Sequence, residues 1–266
     1  MSEFPCSTPI SVSITIASGE CEVIAEERDT ALVDVSPYRN DKRSVETAEA
    51  TKVDFRDDRL SIQGPEGMAG WFFGKNSGSI RVTVRVPRGS SVNTKVASAQ
   101  VQLRGELDTV SVTTASGGVS IEQAREASVN TASGDIHVMN CTGDARGNTA
   151  SGDLQIDNVA NDVSLKSVSG DVRVGSVGGS AQIGSVSGDV TVNRARTGSH
   201  RIKTVSGSAS VGVAAGTGVW LDLNSVSGTT ASDLAVGDMP TETTANMELR
   251  VNTVSGNIDI FRAGGA

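Results

Sequence analysis

Residues 169–186 read SGDVRVGSVGGSAQIGSV, and this stretch decides the fold. Val172 and Val174 alternate around Arg173, Val177 follows after a turn, and Ala181 and Ile183 alternate around Gln182. Alternation with a period of two marks a half-buried strand. The preceding stretch places Leu154, Ile156, Val159, Val163, Leu165 and Val168 at the same offsets as Val172, Val174, Val177, Ala181, Ile183 and Val186. The one before it gives Ile136, Val138, Cys141, Ala145, Gly147 and Ala150. The following one gives Val190, Val192 and Ala195, then Ile202 and Val205 after a one-residue insertion. Six inward positions per coil are therefore expected.

The unit boundary is a recurring Ser-Gly. It falls at Ser116-Gly117, Ser133-Gly134, Ser151-Gly152, Ser169-Gly170, Ser187-Gly188, Ser206-Gly207, Ser227-Gly228 and Ser255-Gly256. The serine spacings are 17, 18, 18 and 18, then 19, 21 and 28. A fixed period in this range is the signature of stacked repeats. The expected fold is all-β: a single-stranded β-solenoid (β-helix) of about 18-residue coils, with identical side chains stacked about 4.8 Å apart. The glycine after each serine is expected at a corner with positive φ.

The N-terminal third is less regular. Ser18-Gly19 precedes CEVIAEERDTALVDV in the manner of a repeat, Ser77-Gly78 precedes SIRVTVRVPRGSSVNTKV, and at Ser98-Ala99 alanine replaces the glycine. Residues 36–76 break the pattern: SPYRNDKRSVETAEA is charged and is expected to be a loop or insertion, and TKVDFRDDRLSIQG to be a hairpin. The expected organisation is an irregular β-rich N-terminal cap over 1–76, a solenoid over 77–262 and a C-terminal tail over 263–266. A cap is needed because an open solenoid end is an exposed sheet edge.

RVTVRVPRGSSV at 81–92 followed by repeated TASGD and VSGD resembles the DUF4097 family of β-strand repeat proteins, named as a "putative adhesin" family. The likeness covers residues 80–262. It implies a β-solenoid and little about mechanism. Relatives that carry membrane segments or small helical domains, and a link of some of them to cell-envelope stress, make peripheral association with the envelope an expectation.

Composition narrows the function classes. The formal net charge of −8 opposes nucleic-acid binding and simple attraction to anionic lipid. Cys6, Cys21 and Cys141 are odd in number and lack metal-ligand spacing, which fits a reducing compartment. No signal peptide and no membrane span are expected, so cytoplasmic localisation is the expectation.

Four features are candidates for chemistry or contact. Asp135, Asp153, Asp171 and Asp189 follow Ser-Gly and are expected to stack into an acidic ladder. Neighbouring carboxylates about 5 Å apart repel by roughly 1 kcal/mol in water. Turn capping through backbone N–H groups is the favoured role, with recruitment of a divalent cation the sharper one. The repeated serines lack a base: His137 is expected on an outward strand position and His200 in the inserted RTGSHR turn. Arg173 with Asp171, and Arg146 with Asp144, read as surface ion pairs. Trp71, Phe72 and Phe73 in GMAGWFFGKNSG are either a plug over the core or an anchor for a partner.

The expected function is a non-enzymatic structural or interaction protein, a scaffold that presents polar Ser/Thr/Asp faces to a protein or glycan partner without metal or cofactor. The alternatives are a self-assembling filament former resembling the bactofilins, joined through solenoid ends, and, remotely, a β-helix carbohydrate-active enzyme.

Overall fold

The computed structural model describes residues 1–6, 8–65, 78–234 and 247–264. The expected Trp71, Phe72 and Phe73 feature lies outside them. The chain divides into two compact units, residues 1–134 and 135–266. Each is a β-solenoid.

In the first unit the strands are β1 (Ser2–Pro5), β2 (Ser11–Glu26), β3 (Thr30–Pro37), β4 (Lys52–Arg56), β5 (Arg59–Gln63), β6 (Ile80–Pro87), β7 (Ser91–Ser116) and β8 (Val119–Ser133), with one helix, α1 (Lys42–Ala50). Strand β2 turns a corner at Ser18-Gly19 and runs parallel to β7, with Ser18 beside Ser98 and Gly19 beside Ala99. The next rung places Ser116 beside Ser133. Alternate residues make apolar columns, Val12–Val92 and Val23–Leu103–Ile121 among them, and all of these are buried.

Chain order is not stacking order. The other edge of β2 pairs in parallel with β5 and β6, so β2 lies between those strands and β7. The β6 rung aligns Gly19 with Ile80, and the Ser18 and Ser79 hydroxyls lie 2.8 Å apart, so Ser79 stands where the sequence pointed to Ser77. Beyond β6 lies antiparallel β3, and beyond that antiparallel β1. Beyond β5 lies β4, joined through the positive-φ pair Asp57-Asp58 as the expected hairpin. The outermost strands here are thus only four and five residues long, which limits edge pairing.

The charged stretch expected as a loop contains α1. The Asp41 side chain caps it by accepting from Ser44 N, and it docks through hydroxyls: Ser44 Oγ accepts from Ser79 N, and Thr47 Oγ1 from Gly78 N. Polar docking leaves no apolar stripe for periodicity to detect.

In the second unit the strands are β9 (Ile136–Cys141), β10 (Ala145–Ser151), β11 (Leu154–Val159), β12 (Val163–Ser169), β13 (Val172–Val177), β14 (Ala181–Ser187), β15 (Val190–Ala195), β16 (Gly198–Ser206), β17 (Ala209–Val213), β18 (Val219–Ser227), β19 (Thr230–Ser232), β20 (Met247–Ser255) and β21 (Ile258–Arg262). They form two parallel faces. The first runs β9–β11–β13–β15–β17–β21–β19. The second runs β10–β12–β14–β16–β20–β18. Here too the chain doubles back: β20 and β21 insert between the β16/β17 and β18/β19 rungs.

Four inward expectations are corrected. Val168, Val186 and Val205 point outward and are 52%, 49% and 49% exposed, and Ala150 is exposed as well. The inward positions belong to Thr149, Ser167, Ser185 and Thr204, all buried. The strand alternates strictly after Val163 and Leu165, so residue 167 must face in and residue 168 out, whatever their polarity. The hydroxyls of Thr149, Ser185 and Thr204 are buried without a hydrogen-bond partner.

His200 is also corrected. It lies within β16 and not in a turn, 1% exposed, in a column with Ala181 and Leu249. Its Nε2–H donates to the Thr197 carbonyl at 2.8 Å. Burial pushes its pKa below the ordinary histidine value, against the weaker opposing effects of that hydrogen bond and of Asp162. The unfolded chain therefore binds a proton more readily, and stability falls as pH drops below about 6.5, until the folded-state pKa is passed. Urea midpoints at pH 7.5 and 5.0 are expected to differ in the parent chain and to converge in His200→Leu. An unchanged pH dependence in the variant would remove His200 as its source.

Candidate interaction face

Gly117, Gly152, Gly170, Gly188, Gly207, Gly228 and Gly256 take positive φ at the Ser-Gly corners, and Gly134 does not. Ser151, Ser169, Ser187, Ser206, Ser255 and Ser227 align in register down the second unit, and all are exposed. Past them the aspartates stack. Asp135 Oδ1 accepts from Asp153 N, Asp153 Oδ1 from Asp171 N, and Asp171 Oδ1 from Asp189 N, each at 2.9 Å. The ladder continues beyond its carboxylates. Asp189 Oδ1 accepts from Ser208 N, Ser208 Oγ from Asn257 N, and Asn257 Oδ1 from Thr229 N. Its sequence 189–208–257–229 follows the stacking order. A second ladder at the opposite corner escaped the sequence reading: Asp144 Oδ1 accepts from Asp162 N, Asp162 Oδ1 from Ser180 N, and Ser180 Oγ from Ser199 N. Both ladders satisfy turn N–H groups that strand pairing leaves over.

Acid–base groups lie on both faces. Arg173 reaches Asp171 at 2.7 Å and Asp153 at 3.4 Å, and Arg146 on the second face reaches Asp144 at 3.3 Å. His137 Nε2 lies 2.9 Å from Asp157 Oδ2, a pairing across adjacent rungs that needs the register to be seen. Burial pushes the Asp157 carboxyl up, but hydrogen bonds from Gln155 and His137 outweigh it and hold the group below its usual value. Among the described residues no hydroxyl bonds the His137 ring, and no three His, Cys, Asp or Glu side chains gather as metal ligands. Cys6, Cys21 and Cys141 are buried thiols outside any disulfide, and burial pushes Cys21 up to about 12.

The second face has a different character. Its outward columns run side by side. One is Val168–Val186–Val205–Val254–Val226, with each valine 49% to 76% exposed. The neighbouring column is Lys166–Gly184–Lys203–Asn252–Asn224, and the one beyond is Ser164–Gln182–Arg201–Arg250–Asp222. Arg250 is paired with Asp222 and Glu248. Lys166, Arg201 and Lys203 have no carboxylate within 4.0 Å among the described residues. At Gly184 an added Cβ would meet nothing within 4 Å. A cleft of about 380 Å³ opens there, lined by Lys166, Gln182, Val186, Arg201 and Lys203 among others. A second, of about 590 Å³, shares Arg201 and Lys203 and extends along Val205, Val254 and Val226.

A sequence model of the Toastrack DUF4097 family matches residues 11–261. The chain belongs to this family. Among solved structures, this Toastrack chain is similar to a "putative adhesin" of Bacteroides fragilis at 12% identity, covering 97% of this chain and 95% of that one, with a TM-score of 0.47. It is also similar to a "putative lipid binding protein" of Parabacteroides distasonis at 17% identity, over the same shares and with a TM-score of 0.49. No curated protein matches the Toastrack chain. No described helix is long and apolar enough to cross a membrane.

Proposed function

We propose that the chain is a non-enzymatic scaffold whose second-unit face, β10–β12–β14–β16–β20–β18, holds a protein partner. The observation that carries this reading is the outward valine column beside unpaired cations. Scattered exposed apolar residues are ordinary, whereas a stripe of five in consecutive rungs is the pattern of a contact surface. The covered outer edges of β5 and β6 favour a partner-binding role over end-to-end polymerisation, which needs two open ends. The structural role of both polar ladders favours protein over glycan as the partner. Peripheral attachment at the envelope belongs to the same proposal, supported by the family resemblance.

The test is site-specific photocrosslinking in cells. A photoreactive side chain at Val205, on the second face, is expected to yield a discrete adduct, and one at Thr191, on the first face, is not. Adducts from Thr191 alone, or from neither position, would overturn the assignment of the face.

A further inference from the structure

We infer that the valine and cation columns of the second face take an acidic amphipathic α-helix of the partner. This rests on the scaffold reading and names its occupant. The first observation is an inverted pattern. At five rungs an apolar side chain faces water, while the inward neighbour before it is Ser167, Ser185, Thr204, Thr253 or Ser225. At Ser167, Thr253 and Ser225 the inward hydroxyl donates to a corner carbonyl, that of Gly170, Gly207 and Gly256 respectively, whereas at Ser185 and Thr204 it has no partner, and exchange there would bury a valine in place of an unsatisfied hydroxyl. At those two rungs hydrogen bonding gives no reason to hold Val186 and Val205 outside.

Charge selects the sign of the occupant. In a chain of net charge −8, Lys166, Arg201 and Lys203 converge on the Gly184 cleft without an acid of their own among the described residues. A carboxylate seated there would meet three cations next to an apolar rail.

Width selects the shape. Asp153, Asp171 and Asp189 line the far side of the Ser-Gly corner from Val168 and Val186, three residues on in the chain. A flat anionic surface pressed on the valines would approach those carboxylates as well. A rod of about 10–12 Å diameter lies on the valine and cation columns and leaves the aspartates in water. The spacing also fits: valines recur about every 4.8 Å, close to the 5.4 Å pitch of a helix. Five rungs span about 19 Å, the length of about 13 helical residues. Apolar residues one turn apart would sit on successive valines, with glutamates along one flank reaching Lys166, Arg201 and Lys203.

The probe is a stapled helical peptide of about 14 residues with leucines at i, i+4, i+7 and i+11 and glutamates on one flank, read by fluorescence anisotropy on the full chain. Saturable binding is expected. It should weaken about tenfold or more in the double variant Lys166→Glu/Lys203→Glu, fall with added salt, and be unchanged in Arg173→Glu on the first face. Gly184→Leu keeps every charge, points into open space and should also abolish binding by filling the cleft. Circular dichroism and melting of each variant confirm that it is folded. No saturable binding, equal binding of the glutamine analogue, or insensitivity to Gly184→Leu would overturn the inference. So would binding of phosphatidylglycerol vesicles, in place of the peptide, that depends on Lys166 and Lys203. If the peptide fails while Val205 still crosslinks a protein, the occupant is wrong and the scaffold reading stands; if both fail, the scaffold reading falls too.

Discussion

Gly170→Ala is expected to lose about 3 kcal/mol of stability or more, read as a lower urea midpoint. Gly170 sits at φ +132, a region that favours glycine, and a Cβ built there falls 2.2 Å from the Gly152 carbonyl oxygen in the rung before. Neither side can yield cheaply, because the obstructing atom is backbone and belongs to the next corner of the same kind. Gly188 meets the Gly170 oxygen, and Gly207 the Gly188 oxygen, both at 2.2 Å. A methyl at one corner therefore pushes a whole rung. Gly184→Ala is the matched control, since its Cβ enters open space and a strand accepts alanine, and its midpoint should stay within about 0.5 kcal/mol of the parent or rise slightly. Equal midpoints for the two variants would show that the corner tolerates a side chain and that the Ser-Gly repeat has another cause.

The repeat was legible because a solenoid writes its geometry into every coil. Serine, glycine and aspartate recur where the backbone turns, and Leu154, Val172 and Val190 recur where it points inward, so the corner and most of the core follow from spacing alone. What the spacing could not give was the order of the rungs at the chain ends. Met247, Leu249 and Val251 carry the same inward pattern as Val219, Leu221 and Leu223, so either strand suits a place beside β16, and only the register shows that β20 takes it. The interaction face stayed hidden for a related reason. Lys166, Lys203 and Arg201 are far apart in the chain and look like ordinary solvated charges until parallel pairing sets them on neighbouring rungs around Gly184. Val168, Val186 and Val205 read as core because valine is apolar, whereas strand parity places them outside.

Parity can be tested directly with Ile183 and Val186, three residues apart in β14 and both apolar. Ile183 is 1% exposed and stacks between Leu165 and Ile202, both fully buried. Ile183→Lys places an ammonium in that column with no acid to pair it. An unpaired charge in such a site costs several kcal/mol even after relaxation, on the order of the whole stability of a domain. The expected result is a chain whose second unit fails to give a cooperative melt. Val186 is 49% exposed on the same strand, and Val186→Lys should leave the melting temperature nearly unchanged, since substitutions away from the core stay within about 0.5 kcal/mol. If Val186→Lys were as damaging as Ile183→Lys, the valine column would be part of the core, and the contact face would have to be sought elsewhere. If only Ile183→Lys is damaging, Val186 is dispensable for folding, as a contact position on the second face would be.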